Sequence, residues 1–419
     1  MPTHRLLVLL ITALFLTAAH ASDWPQWRGP ERTGYVPANE PVPAALPPSP
    51  DIVWHIPVGF GIASPIVAGG VVVYIDAQQS KEVVHAVDRA TGQERWRDIL
   101  DDVHKDSQSA PGPRCTPMID GKRVFAQSGR GNLRVLSLDD GKVLWQTSYV
   151  KDLGATFIGE KGNAEGSVRH GYTATPLIDG EHFIAEAGGS PEGSLVCFDK
   201  SSGTVIWKSK SGTPAYASPM LTTIDGVSQV VAFMTDAVVG ISSSDGKTLW
   251  RVPVKTSLGR HAATPLIFDH RIIVSSHEAG LIAVDLSNTG QEWKATQAWA
   301  QKDLAINFAS PVAVDHFLFG VGPRKNLICV DAATGKAVWS KEEFFTGSPS
   351  KAYAGMLVLG RNILILTDDG QLVLIAADSG AYREISRLRA CGKNWCIPAY
   401  ADGMLYLRDE KELVCLKML

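Results

Sequence analysis

Between residues 52 and 419 one pattern of apolar and polar positions recurs. Each copy opens on Ala-Ser/Thr-Pro followed by an apolar residue, as in Ala63-Ser64-Pro65-Ile66, Cys115-Thr116-Pro117-Met118, Ala174-Thr175-Pro176-Leu177 and Ala309-Ser310-Pro311-Val312. A proline cannot donate to a β-ladder, so a proline recurring at a strand start marks an edge, here the innermost strand of each sheet. A tight turn follows, as at Asp120-Gly121, Asp179-Gly180 and Asp225-Gly226, then an alternating strand such as Arg123 to Gln127. Asp-Gly between apolar runs is a strong hairpin signal. A third strand carries a Leu-x-x-x-Asp stretch, and a Thr/Ser-Gly turn leads to a fourth strand that holds a Trp. Four antiparallel strands per unit, repeated, predict an all-β fold, a β-propeller of four-stranded antiparallel blades.

The Gly-to-Trp spacing counts the blades. Clear copies are Gly92 to Trp96, Gly141 to Trp145, Gly203 to Trp207, Gly246 to Trp250 and Gly335 to Trp339, with a shortened copy at Gly290 to Trp293. A degraded copy follows Gly380, where Tyr382 and Ile385 stand near the Trp position. Repetition at a period of roughly 40 to 60 residues signals an array of similar units. Trp54 precedes the first Ala-Ser-Pro and has no unit of its own, while the last unit, from Ile397 to Leu416, has no Trp strand. The two halves complete each other, so the strand around Trp54 is predicted to join the C-terminal blade and close an eight-bladed ring. Closure removes the free sheet edges of an open array. Trp54, Trp96, Trp145, Trp207, Trp250, Trp293 and Trp339 are expected as docking pegs between blades.

Composition and charge narrow the partners. The 419 residues are 45% hydrophobic and 20% charged, with a formal net charge of −3. That balance gives no basic field for nucleic acid. The first residues read as an export leader: His4 and Arg5, an apolar stretch from Leu6 to Thr17, and Ala19-His20-Ala21 as a small-x-small cleavage pattern. The expected organisation is a leader over 1–21, a Trp/Pro-rich strap over 22–51, and the propeller over 52–419. No membrane span and no lipid anchor are expected, since the apolar stretch is short and no Cys follows the cleavage point. Location is therefore periplasmic or secreted. Cys197, Cys329 and Cys415 share one repeat position, with Ala86, Ser137 and Ala283 read as its other occupants, which marks a small buried slot. Cys391 and Cys396 stand together in one loop outside the register, where a local disulfide and two free thiols are equal alternatives.

The repeat resembles the PQQ-like family, whose units begin Ala/Ser-x-Pro and finish Asp-x-x-Thr-Gly-x-x-x-Trp. Residues 88–96, from Asp88 through Thr91-Gly92 to Trp96, and residues 331–339, from Asp331 through Thr334-Gly335 to Trp339, carry that finish. The resemblance implies the fold and leaves two kinds of function open. One branch, the quinoprotein alcohol and glucose dehydrogenases, holds pyrroloquinoline quinone and calcium on the channel axis. The other, which includes the BamB subunit of outer-membrane protein assembly, uses the ring as a scaffold. The chain departs from the first branch in its compact blades and lack of an adjacent Cys-Cys pair, and from the second in lacking the lipid-anchor Cys.

In a propeller the loops entering the innermost strands converge on the channel mouth. Here they bring Arg114, His170, Tyr172, Tyr216, Arg260, His261, Asn307, Phe308, Lys351, Tyr353 and Trp395. Aromatic and cationic groups gathered at one mouth suit a planar or anionic ligand; an ordinary polar rim is the plain alternative. The longest insertions, Arg97 to Arg114 and Gln146 to Thr173, lead to the same face. Asp101-Asp102 and Asp368-Asp369 read as solvated turn pairs. No metal site and no obligatory cofactor are expected. The favoured reading is an exported scaffold that binds envelope proteins or a small ligand at the mouth. A PQQ- and calcium-dependent oxidoreductase and a carbohydrate or peptide binder are the alternatives.

Overall fold

The computed structural model describes residues 22–105, 111–157, 170–188, 193–290, 292–346 and 352–419; the leader over 1–21 lies outside them. The described residues hold strands and no helix, arranged as eight four-stranded antiparallel sheets. Seven sheets are consecutive in sequence, from Ile66–Ala68 of blade 1 to Glu384–Arg389 of blade 7. The eighth takes three strands from Ala399–Lys417 and its fourth from Asp51–Pro57, with Trp54 opposite Cys415. The propeller and its closure match the expectation from the orphan Trp54.

The inter-blade joint explains the Gly-to-Trp repeat. Five of the tryptophans, Trp54, Trp96, Trp145, Trp207 and Trp299, lie not on the glycine of their own blade but on that of the next, where a Cβ would meet the ring. Such an atom on Gly92 would come within 2.9 Å of Trp54, on Gly141 within 2.7 Å of Trp96, and on Gly203 within 2.5 Å of Trp145. These glycines also hold φ near +70°, which an L side chain rarely adopts. The indole N–H then donates to a carbonyl of the same turn, as Trp54 to Arg89 O at 2.9 Å and Trp96 to Leu138 O at 2.8 Å.

Blade 5 corrects the sequence reading. Trp299, not Trp293, takes the peg position: it lies opposite Ala283, within 2.5 Å of a Cβ on Gly335, and donates to Ala332 O at 3.2 Å. The outer hairpin of this blade is longer than its siblings, so Trp293 sits at the start of the strand Trp293–Gln301, opposite Asn288. Gly290 faces open space, and Trp250, which would have docked there, turns to Gln229 Oε1 at 2.6 Å. In blade 7 the peg position, opposite Leu374, is filled by Ser386, whose hydroxyl accepts the N–H of Leu46 from the strap.

The small slot also gains a cause. Ala86, Cys197, Ala283, Cys329 and Cys415 each lie directly across the ladder from a peg Trp, which leaves little room. Val135, rather than Ser137, is the occupant in blade 2. Cys391 and Cys396 are unbridged. Cys396 is buried with its thiol toward Ala63 O across the ring closure, while Cys391 meets the side-chain amide of Asn394, so the two sulfurs are drawn to different partners.

The hydroxyl of Ala-Ser/Thr-Pro staples neighbouring blades. Ser64 N–H donates to Thr116 Oγ1, Thr175 N–H to Ser218 Oγ, Thr264 N–H to Ser310 Oγ, and Ile397 N–H to Ser64 Oγ, at 2.9–3.1 Å. These bonds satisfy backbone donors that the following proline leaves outside the sheet ladder.

Candidate functional site

The strap crosses one end of the channel and closes it. Trp24 pairs with Val67 of blade 1, and Pro25 O accepts Ile119 N–H from blade 2. Arg32 reaches blade 3, donating to Thr175 O at 2.8 Å and Pro176 O at 2.7 Å, and Arg28 reaches blade 6, donating to Pro311 O at 2.7 Å. Val36 N–H then bonds Val358 O in blade 7. The turn through Gly29, at φ +82°, lets the backbone pass over the Trp24 ring, which a Cβ would meet at 2.8 Å. Both guanidiniums are buried, and desolvation pushes their pKa down to about 10. They lie over the ring of Trp27, at 5.5 Å and 5.9 Å from its centroid.

Above this floor the ring encloses a cavity of about 730 Å³. Trp27 forms part of it, with Ser64, Thr116, Thr175, Ser218 and Ser310 of the staples along the wall. A volume of this size is within the range of small-molecule sites. We call the channel, with the strap as its floor, the cup.

Seven of the residues singled out from the sequence line this cup: Arg114, His170, Tyr216, Arg260, Phe308, Tyr353 and Trp395. Tyr353 stacks on Trp395 at 5.3 Å between centroids, and Phe308 leans on the same indole at 5.4 Å. His170 and Tyr216 pack together at 5.2 Å on the far wall. The cluster of Phe308, Tyr353 and Trp395 comes from the loops entering blades 6 to 8, and Arg114 and Arg260 come from those entering blades 2 and 5.

Of the other four, three do not line the cup and one lies outside the described residues. Tyr172 is buried in the core with its hydroxyl on Ala187 O, packed beside Tyr149. His261 is fully buried, stacked on Phe233 at 4.0 Å with Nε2 at 3.2 Å from Thr235 O. Desolvation holds its pKa down at about 4. Asn307 adjoins Phe308 but does not line the cup. Lys351 lies outside the described residues, as do Lys161 and Arg169 of the long insertion.

The sequence reading missed the floor and one wall. Trp27 lies in the strap over 22–51 and lines the cup, and its place outside the repeat register with Arg28 and Arg32 following it is the signal for that role. Asp368-Asp369 is not a solvated pair: Asp369 accepts the Thr367 hydroxyl at 2.6 Å, whereas Asp368 is 8% exposed and lines the cup. Burial, and then Asp369 beside it, raise the Asp368 pKa. Asp101-Asp102 also differs, ending the strand Glu94–Asp102; Asp101 accepts Ser128 Oγ and Asn132 Nδ2, and Asp102 pairs with Lys81 at 2.6 Å. Asn394, 3% exposed, completes the wall beside Trp395.

Comparison with known proteins places this geometry in a family. The profile of the family described as outer membrane protein assembly factor BamB, a PQQ-like repeat family, matches residues 46–156 and 80–341. The chain belongs to this family of PQQ-like repeat β-propellers. It is similar to the outer membrane protein assembly factor BamB of Yersinia pestis, 23% identical over 70% of this chain and 71% of that protein. It is also similar to the factor of that name from Moranella endobia, 24% identical over 63% of this chain. The match spans 64% of the Moranella protein, just under two thirds of its length. Among solved structures, quinohemoprotein alcohol dehydrogenase from Comamonas testosteroni superposes with a TM-score of 0.66 at 15% identity, over 94% of this chain and 80% of that one. BamB from Moraxella catarrhalis superposes with a TM-score of 0.59 at 14% identity, over 88% of this chain and all of that one. At such identities the superpositions speak for the fold.

Proposed function

We propose that the protein is a binding scaffold of the cell envelope that engages envelope proteins or a small ligand through the mouth of the cup. The observation that carries this reading is the sealed floor. With Trp27, Arg28 and Arg32 blocking one end, the loops entering the inner strands present one concave face, lined by Tyr216, Phe308 and Trp395. Concave aromatic surfaces with a few fixed polar groups are the usual form of a binding site. The name shared by the curated relatives, an outer membrane protein assembly factor, supports an envelope role. The leader expected over residues 1–21 supports export to that compartment.

The test is a photo-crosslinking residue placed at Tyr216 in the mouth or at Val143 on the exposed outer strand of blade 2. Discrete envelope adducts from Tyr216 and not from Val143 are expected. Adducts confined to Val143, or none from the mouth with or without added extract of small molecules, overturn the reading.

A quinoprotein oxidoreductase is a second reading, favoured by the stacked pair of Tyr353 and Trp395, which offers a planar ligand an aromatic wall. The residues fit its calcium ion poorly. Among the described residues no three carboxylates, histidines or cysteines gather as a metal site, and Lys393 lies close enough to Asp368 to lower its pKa. Titration with quinone and calcium, followed by tryptophan fluorescence, distinguishes the two readings. Saturation at micromolar quinone together with dye-linked alcohol oxidation would favour the enzyme.

A further inference from the structure

The start of the strap is held at the seam where the ring closes. Ser22 N–H donates to Asp402 Oδ1 at 2.8 Å, Ser22 Oγ accepts Asp402 N–H at 3.0 Å, and Ser22 O accepts from Arg89 Nη1 at 3.1 Å. Asp402 stands in the Asp-Gly turn of blade 8, and Arg89 follows the strand Lys81–Asp88 of blade 1. One residue of the strap therefore touches both the last blade and the first. Arg89 spans the same gap by itself: its Nη2 lies 2.7 Å from Asp402 Oδ2, and its Nε donates to the Tyr406 hydroxyl at 3.0 Å.

The charges bonded into this corner do not balance. Glu40, 7% exposed, also accepts Asp402 N–H through Oε2 at 2.9 Å, and Asp23 accepts Gly69 N–H at 3.2 Å. Three carboxylates, of Asp23, Glu40 and Asp402, thus share the corner with the guanidinium of Arg89. Burial raises the Asp23 pKa, and Asp402 adds to the rise against the pull of Gly69 N–H and Arg89. A second cation would relieve the surplus, and Ser22 N is the atom from which it would bond Asp402 directly. A charged donor in that place makes a shorter and stronger bond to the carboxylate than an amide does.

The leader expected over residues 1–21 ends at Ala21, so Ser22 N is the atom that processing would charge. Water added across the Ala21–Ser22 peptide bond by an export peptidase leaves a carboxylate on Ala21. The proton of that acid passes to the freed amine, which is an α-ammonium at neutral pH. We propose that Asp402, Glu40 and Arg89 form a capture site for the α-ammonium of the processed chain, so that removal of the leader fastens the strap across the seam between blades 8 and 1. Capture of an N-terminal amine by a fixed polar corner is a known mode of recognition. The inference rests on the expected leader and is independent of what the cup binds.

The test expresses the full-length precursor, purifies the exported chain, reads its first residue by mass spectrometry and follows acylation of its α-amine at neutral pH. A chain beginning at Ser22 is expected. Its amine should react on the order of fivefold slower than that of Asp402→Asn, because the ion pair withholds the neutral amine that acylation needs. Asn keeps the turn, since it too tolerates the φ of +50° found at Asp402. Asp225→Asn, in the matching turn of blade 4 at φ +49°, should leave the rate at the parent value. A chain with Gly-Ala added before Ser22 holds a neutral amide at the same atom. The amide hydrogens of Trp24 and Val67, which pair across strap and blade 1, should exchange on the order of fivefold faster in it than in the chain beginning at Ser22. A processed chain that begins at any other residue, equal acylation of parent and Asp402→Asn, or equal exchange with and without the added residues overturns the inference.

Discussion

At the scale of single residues, two buried titratable groups give the fold opposite pH dependences. His261 is held near pKa 4 by desolvation, while the same side chain in the unfolded chain titrates near 6.5. Between those values the unfolded chain carries a proton that the folded one refuses, so stability is complete above about 6.5 and falls as pH drops toward 4. Glu186 is 4% exposed with both carboxylate oxygens unpartnered, and desolvation lifts its pKa to about 8 against the opposing pull of Arg32. Here the folded chain holds a proton that the unfolded one releases above about 4.5. Its contribution is complete below that value and is lost as pH rises through 8. Glu186→Gln should therefore gain stability over the parent as pH is raised from 5 to 8, read from urea midpoints. His261→Phe, which keeps the stack on Phe233, should flatten the decline between pH 6.5 and 4. Parallel curves for parent and variant would show that the named group does not set the slope.

At the scale of the element, the strand and its docking peg decide what the sequence could disclose. Trp299 lies against Gly335 of the next blade and bonds Ala332 O, whereas Trp293 lies at the start of the same strand against Asn288. Trp299→Ala should cost about 3 kcal/mol, and Trp293→Ala about 1 kcal/mol, the ordinary cost of a substitution outside a packed joint. Equal losses in urea unfolding would mean that both rings dock. The register of seven blades was legible because turn chemistry and strand periodicity are local. Blade 5 was misread because its hairpin is longer, and a fixed count from Gly290 lands on the wrong indole. The mouth residues were legible from their place before each proline. Asp368 was not, because its neighbour Asp369 takes the turn bond at Thr367 and only the folded wall separates their roles. The hydroxyl staples were likewise hidden, since Ser64 and Thr116 meet only across two blades.

At the scale of the whole molecule, closing the ring and sealing it are separate tasks performed by adjacent stretches of chain. The strand Asp51–Pro57 supplies the outer edge of blade 8 and sets Trp54 on Gly92 of blade 1. The same seam is fixed by Arg408, buried without exposure, which donates to Ala63 O at 3.2 Å, Ile75 O at 2.6 Å and Gly59 O at 2.9 Å. The strap before it closes the floor through Trp24, Arg28 and Arg32 but adds no strand to any blade. A chain beginning at Asp51 should thus keep one cooperative transition, with Tm lowered on the order of 5 °C for the lost packing. Its cup should open at both ends, seen as faster exchange of the indole and backbone hydrogens around Thr175 and Ser310. A chain beginning at Val58 loses the closing strand as well, baring the edge of Glu412–Lys417. An unpaired edge of this kind invites pairing with another chain, so broadened melting and aggregation are expected from it. Scanning calorimetry of the two chains side by side decides the matter: matching transitions would mean that the ring is held by blade-to-blade packing alone and that strand closure is dispensable.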